Sequence, residues 1–242
     1  MAKEPTNVPN RWALLVGINY YRNDRCLEGA VRDVETVERY LQAGTSRVDV
    51  LTLTASTPEA KDSCCPLENE ERWPTSANVV AALQRLIRET KPGDWVYIHY
   101  SGHGTKTPGT AYPDHNNADE ELALVLFENN ERGCSYLRGR HLASAMHKMV
   151  AKGLIVTLVL DCCFSGSVVR KKEWRGCGIR YTDYKPEIDV GKLQKYEEKV
   201  FLSDDNTPRS SQMAKKWLLD PDGYTTLSAC GPHAVRMKKH GN

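Results

Sequence analysis

Four short, continuous apolar runs do most to limit how this chain can fold: WALLVGI (12–18), WVYIHY (95–100), LALVLF (122–127) and LIVTLVL (154–160). Runs of this length and β-branched content read as strands covered on both faces. VDVLTL (48–53) and YTTLSA (224–229) are weaker candidates of the same kind. Between them, apolar residues recur at helical spacing: Val31, Val34, Val37, Tyr40 and Leu41; then Val79, Leu83, Leu86 and Ile87; then Leu142, Ala145, Met146 and Met149. Strands separated by helix-length crossovers predict an α/β fold, a three-layer α/β/α sandwich around a mostly parallel central sheet with right-handed connections. The 242 residues suit one such domain.

In a parallel sheet, reactive groups collect where the carboxyl ends of strands open into loops. After WVYIHY comes SGHGT, with His103 between two glycines, and after LIVTLVL comes DCCFSGS, with Cys162 and Cys163. An imidazole and a thiol at one sheet edge are the parts acyl transfer needs. The imidazole takes the thiol proton, or stands beside the thiolate, and later protonates the leaving amine. Gly102 and Gly104 let a substrate backbone approach, and the N–H groups near Gly104 and Cys163 can face a developing oxyanion. Taken singly, a histidine in a glycine turn is better explained as a strand cap, and two cysteines after a strand as small buried apolar side chains. Their joint placement after two separate strands favours the catalytic reading.

Other uses of the thiols fit less well. The eight cysteines are scattered over a chain whose start, MAKEPTNVPNRW, has no apolar signal core, so reduced thiols and a cytoplasmic location with access to the nucleus are expected. Zinc would require ligand pairs such as C-x-x-C, whereas Cys64–Cys65 and Cys162–Cys163 are vicinal. With 33 Lys and Arg against 31 Asp and Glu, the chain has no global field to recruit nucleic acid or an anionic membrane, and neither is expected as a partner. No apolar stretch approaches the ~18–20 residues of a membrane span.

Two segments lack strand or helix periodicity. Residues 56–76, with Pro58, Pro66 and Pro74, read as a polar surface connection; residues 168 to about 222, rich in Lys, Arg, Asp and Ser, read as a long functional or mobile linker.

YSGHGT followed by DCCFSGS resembles the His and Cys motifs of caspase-like cysteine peptidases, most closely the metacaspases and related fungal caspase-domain proteins. RWALLVGINYY…LEGAVRDVETVERYL looks like that family's first strand and helix, and the resemblance runs over roughly residues 11–235, leaving 1–10 as a tail. It implies a caspase-like fold over 11–242 and a Cys–His dyad in which His103 is the acid/base and Cys163 the nucleophile. Cys162 then occupies a variable position and should point into the core. The metacaspase pocket for the residue before the scissile bond falls on Asp33, Ser101 and Asp161. Two carboxylates there would accept a guanidinium and repel an Asp side chain, so cleavage of protein or peptide substrates after Arg, then Lys, is implied. The linker corresponds to the region in which such enzymes are processed, with Arg170, Lys171, Lys172, Arg175, Arg180, Lys215 and Lys216 as candidate sites.

The chain departs from the family pattern in places. Phe164 stands where most metacaspases have histidine, and Ala30 replaces a common cysteine. Arg170 falls where a calcium-binding aspartate would be expected, and PDHNNADEE (113–121) matches the remainder only loosely. No cofactor is required, calcium is an option without assigned ligands, and no metal is placed in the site. The resemblance stops short of the family's closing helix and strands, so a truncated C-terminus is an expectation. The rival reading is a catalytically silent caspase-like interaction or signalling module. Neither the resemblance nor the residues indicate an oligomeric state.

Overall fold

A computed structural model describes residues 8–22, 26–44, 46–60, 63–108, 120–164, 180–189 and 223–229. Five strands form the central sheet: β1 (Arg11–Ile18), β2 (Val48–Ala55), β3 (Trp95–Ser101), β7 (Ile155–Asp161) and β8 (Thr225–Ser228). They lie in the order β2-β1-β3-β7-β8, and every neighbouring pair is parallel. The six expected runs are all strands, and the three expected helices are α1 (Ala30–Ala43), α2 (Ser76–Glu89) and α3 (Gly139–Ala151).

Strand β1 shows why its sequence is apolar throughout. Leu14, Val16 and Ile18 pack into the large core with Val79, Leu83 and Met146, whereas Ala13 and Leu15 pack with Val34 of α1. Alternate residues therefore bury opposite faces, and a polar residue on either side would be costly. Helix α1 lies close against β1: a Cβ on Gly17 would sit 2.5 Å from Val34 Cγ2. That approach needs glycine, and it sets the first turn of α1, with Asp33, beside the carboxyl edge of the sheet.

LALVLF is a strand, but it does not join the central sheet. β5 (Glu120–Phe127) is the middle of a second, antiparallel sheet between β4 (Gly104–Pro108) and β6 (Cys134–Arg138). Period alone cannot separate the two placements, because Val125, Leu126 and Phe127 are fully buried, just as in a parallel strand. The segment 56–76 also differs from the expected polar surface connection. It contains a 3-10 turn at Glu70–Arg72, and Trp73 is buried edge-on against Phe127, with ring centroids 5.6 Å apart. Its indole N–H donates to the Glu68 carbonyl at 2.6 Å. Among the described residues no helix is long and apolar enough to cross a membrane.

Candidate active site

The register of the central sheet builds the site. β3 and β7 are neighbours, and their final residues, Ser101 and Asp161, are Cα partners. His103 and Cys163 each stand two residues further on, so the two parallel strands deliver imidazole and thiol to the same edge. The turns holding them are in close contact: a Cβ on Gly104 would lie 2.6 Å from the Cys163 carbonyl oxygen and 2.9 Å from Phe164 Cδ1. Phe164 is fully buried beneath this contact, which accounts for an apolar ring after Cys163. Cys162 is buried and Cys163 half-buried, as alternation along an extended backbone requires. The six described cysteines form no disulfide.

His103 is held by two tyrosines that the sequence alone did not single out. Its N–H donates to the Tyr21 hydroxyl at 2.9 Å, and its carbonyl accepts from the Tyr100 hydroxyl at 2.7 Å. The Tyr21 ring packs on the imidazole with centroids 4.7 Å apart. The Tyr100 hydroxyl also reaches the Val125 carbonyl at 2.7 Å, tying the turn to β5. Burial pushes both phenols well above their ordinary range, so they stay protonated and keep these bonds at any working pH.

Asp33, Ser101 and Asp161 converge at the same edge, and a residue of the chain's own linker lies among them. The Arg180 guanidinium donates through Nη2 to Asp33 Oδ2 and through Nη1 to Asp161 Oδ2. Nη1 also reaches Ser101 Oγ at 2.6 Å and the Asp161 carbonyl at 3.0 Å. Burial opposes the charge on Arg180, but the two carboxylates outweigh it and hold the guanidinium above its ordinary value. The carbonyl of the same residue accepts from the Gly104 N–H at 2.8 Å and the Cys163 N–H at 3.1 Å. Tyr181 bridges to Gly104 in parallel sense, and the Thr182 N–H donates to the Gly104 carbonyl at 3.2 Å. Arg180 is thus bound as a peptide residue would be, with a side chain in an acidic pocket and a carbonyl on two converging N–H donors.

Under the pocket lies His99, two residues before Ser101 on β3. It is buried, and its Nδ1 is 3.3 Å from the Tyr97 hydroxyl. Burial lowers its pKa, Asp161 and Asp33 oppose that, and Arg180 adds to it.

Of the candidate processing sites, only Arg180 falls within the described residues; Arg170, Lys171, Lys172, Arg175, Lys215 and Lys216 lie outside them. Residues 113–119 of PDHNNADEE also lie outside them, and no cluster of three or more His, Cys, Asp or Glu side chains suited to a metal occurs among the described residues.

A parallel sheet with flanking helices, carrying histidine and cysteine after adjacent strands, is a caspase-like α/β fold. A solved structure of a Geobacter sulfurreducens protein superposes on 91% of this chain and 72% of its own, with a TM-score of 0.53 at 20% identity. The chain belongs to the metacaspase family: the model of the metacaspase, peptidase C14 domain, matches residues 11–172. Metacaspase-1A of Aspergillus niger is 31% identical over 161 residues, 66% of this chain and 36% of that protein. Metacaspase-1 of Eremothecium gossypii is 31% identical over 162 residues, 66% of this chain and 33% of that protein. The chain thus spans about a third of the length of these relatives.

Proposed function

We propose that the chain is a cysteine endopeptidase that cleaves after Arg, and more slowly after Lys, with Cys163 as nucleophile and His103 as acid/base. The observation that carries this is Arg180, whose side chain meets Asp33 and Asp161 while its carbonyl meets the N–H groups of Gly104 and Cys163. The same pose makes Arg180–Tyr181 the first bond cut in the chain itself.

In this reading His103 takes the Cys163 thiol proton and the sulfur attacks the carbonyl carbon. Charge develops on the carbonyl oxygen, where the two N–H groups oppose it. The C–N bond to Tyr181 breaks as His103 returns the proton to the departing nitrogen. A water then attacks the thioester, His103 removes its proton, and the acid product leaves as the thiol is restored. Asp33 and Asp161 take no part in these transfers. They position the basic side chain and exclude an acidic one by charge.

The test is to incubate the protein and its Cys163→Ala variant with fluorogenic peptides ending in Arg, Lys or Asp, with and without calcium, and to follow chain integrity by intact mass. Hydrolysis after Arg and Lys but not Asp is expected, with a mass break at Arg180–Tyr181 and both lost in Cys163→Ala. A folded protein silent across pH and calcium would overturn the peptidase reading in favour of the interaction module.

A further inference from the structure

Residues 181–189, beyond the Arg180–Tyr181 bond, are received by a second set of contacts. The Tyr184 ring packs on Tyr136 of β6 with centroids 5.4 Å apart, and the Lys185 N–H donates to the Tyr136 hydroxyl at 3.0 Å. Ile188 is buried. The Tyr184 hydroxyl donates to Asp189 Oδ2 at 2.8 Å, and the same carboxylate is paired with Arg138 Nη2. Burial, with Asp189 beside it, pushes the Tyr184 phenol up to about 12, so it remains a donor throughout the working pH range.

The charge balance around Arg138 gives this contact its physical basis. Arg138 and Glu121 are each only 5% exposed. Glu121 already serves Arg140, accepting from its backbone N–H at 2.8 Å and from its Nη1 at 3.1 Å, and lies 3.5 Å from Arg138 Nη1. The other acceptors of Arg138 Nη1 are neutral: Thr107 Oγ1 at 2.9 Å and the Pro108 carbonyl at 2.8 Å. Arg138 thus shares its β5 carboxylate with Arg140, and among the described residues it is Asp189 that gives Arg138 a second one. A guanidinium so buried is costly without a matching negative charge.

We propose that Arg138 and Tyr136 form an anchoring site for a peptide segment that carries an aromatic residue and, five residues later, a carboxylate, and that this site holds the Arg180–Tyr181 bond in register over Cys163. The proposal rests on reading that bond as the one presented for cleavage. Tyr184 lies four residues and Asp189 nine residues beyond Arg180, so with both anchored only Arg180 can reach the acidic pocket by the observed path. The linker's other basic residues stand at different distances from this pair. The site therefore selects one position among chemically similar ones, and it would favour substrates with the same spacing on the leaving-group side.

Two variants on the linker side test this: Asp189→Asn removes the carboxylate, and Tyr184→Ala removes the aromatic contact while keeping the ion pair, with folding of each checked by circular dichroism. The first readout is the rate of self-cutting after Arg180, relative to hydrolysis of a fluorogenic peptide whose dye directly follows Arg and which cannot reach Arg138. This ratio should fall about tenfold in each variant, with new mass breaks at other basic residues. The second readout needs no activity. In a Cys163→Ala background, trypsin should cut after Arg180 about tenfold faster once Asp189→Asn or Tyr184→Ala is added. An unchanged ratio together with unchanged trypsin protection overturns the anchor. Trypsin protection that depends on Asp189 in a chain lacking Cys163-dependent hydrolysis keeps the anchor and overturns the peptidase reading.

Discussion

Neutralising the acidic pocket should change which substrates are accepted, and by an amount the geometry sets. Asp33 and Asp161 each give the Arg180 guanidinium one carboxylate contact, and their side chains are 32% and 36% exposed. A hydrogen bond to a charged group is worth about 1.5–3 kcal/mol when buried; with a third of each carboxylate in water, screening brings that nearer ~1–1.5 kcal/mol. Each Asp→Asn change should therefore lower kcat/KM for an Arg peptide about tenfold, and the double change about a hundredfold if the two act independently. The assay compares that peptide with one carrying citrulline, which has nearly the shape of arginine but no charge. Citrulline hydrolysis by Asp33→Asn and Asp161→Asn should stay within about threefold of the unsubstituted protein, because the lost interaction is ionic. Equal losses on both peptides would refute the reasoning, since they would mean that the carboxylates hold the site's shape and do not read charge.

Two further outcomes follow from the same edge of the sheet. Gly104→Ala would push a methyl group to 2.6 Å from the Cys163 carbonyl oxygen, displacing a backbone N–H donor, so kcat should fall by roughly 10²–10³ with folding retained by circular dichroism; a folded variant within tenfold of the parent would contradict the role given to that N–H. His99 is held below its ordinary value of 6.5, chiefly by burial, so below about pH 6.5 the unfolded chain binds the extra proton and stability falls as pH drops. His99→Gln should flatten that slope in denaturant titrations between about pH 7.5 and about pH 5, and an unaltered slope would show that another group titrates there.

Much of this site was legible in the sequence because strand ends are. WVYIHY and LIVTLVL break off where Ser101 and Asp161 begin, and two parallel neighbours of equal reach bring whatever follows them to one place. That reasoning pointed to His103 and the Cys162–Cys163 pair; the choice of Cys163 and the pocket positions Ser101 and Asp161 came from the family resemblance. Asp33 came from the same resemblance, and the contact of α1 with Gly17 is the physical reason it lies at this edge. The second sheet was not legible. GTKTP and CSYLR are short and mixed in polarity, and they become strands because β5 lies between them with backbone groups to satisfy on both edges. Tyr21 and Tyr100 were hidden for another reason: a tyrosine in an apolar stretch reads as core, and nothing in its spacing reveals a hydroxyl turned to a backbone group of another strand.

Arg180 was the hardest residue to find, since it is one basic residue among several in a polar linker. A weak local signal exists: it stands between Ile179 and Tyr181, side chains that favour the extended backbone a cleft requires, whereas Lys171 and Lys172 have only polar or charged neighbours. The stronger determinant is not local. An acidic pocket would hold any of these basic side chains, so charge alone cannot choose between them. The choice requires a second fixed point at a set distance along the chain, and Arg138, with its charge only partly balanced within β5, provides one. Specificity for a position in the linker then comes from two moderate contacts joined by a short tether, because ordering one end raises the local concentration of the other. Moving Asp189 one residue along, by a single insertion between Ile188 and Asp189, should therefore weaken presentation of Arg180 even though every contacting side chain is kept. Intact-mass mapping of the cut reads this directly, and an unmoved, undiminished cut would show that the acidic pocket alone selects the bond.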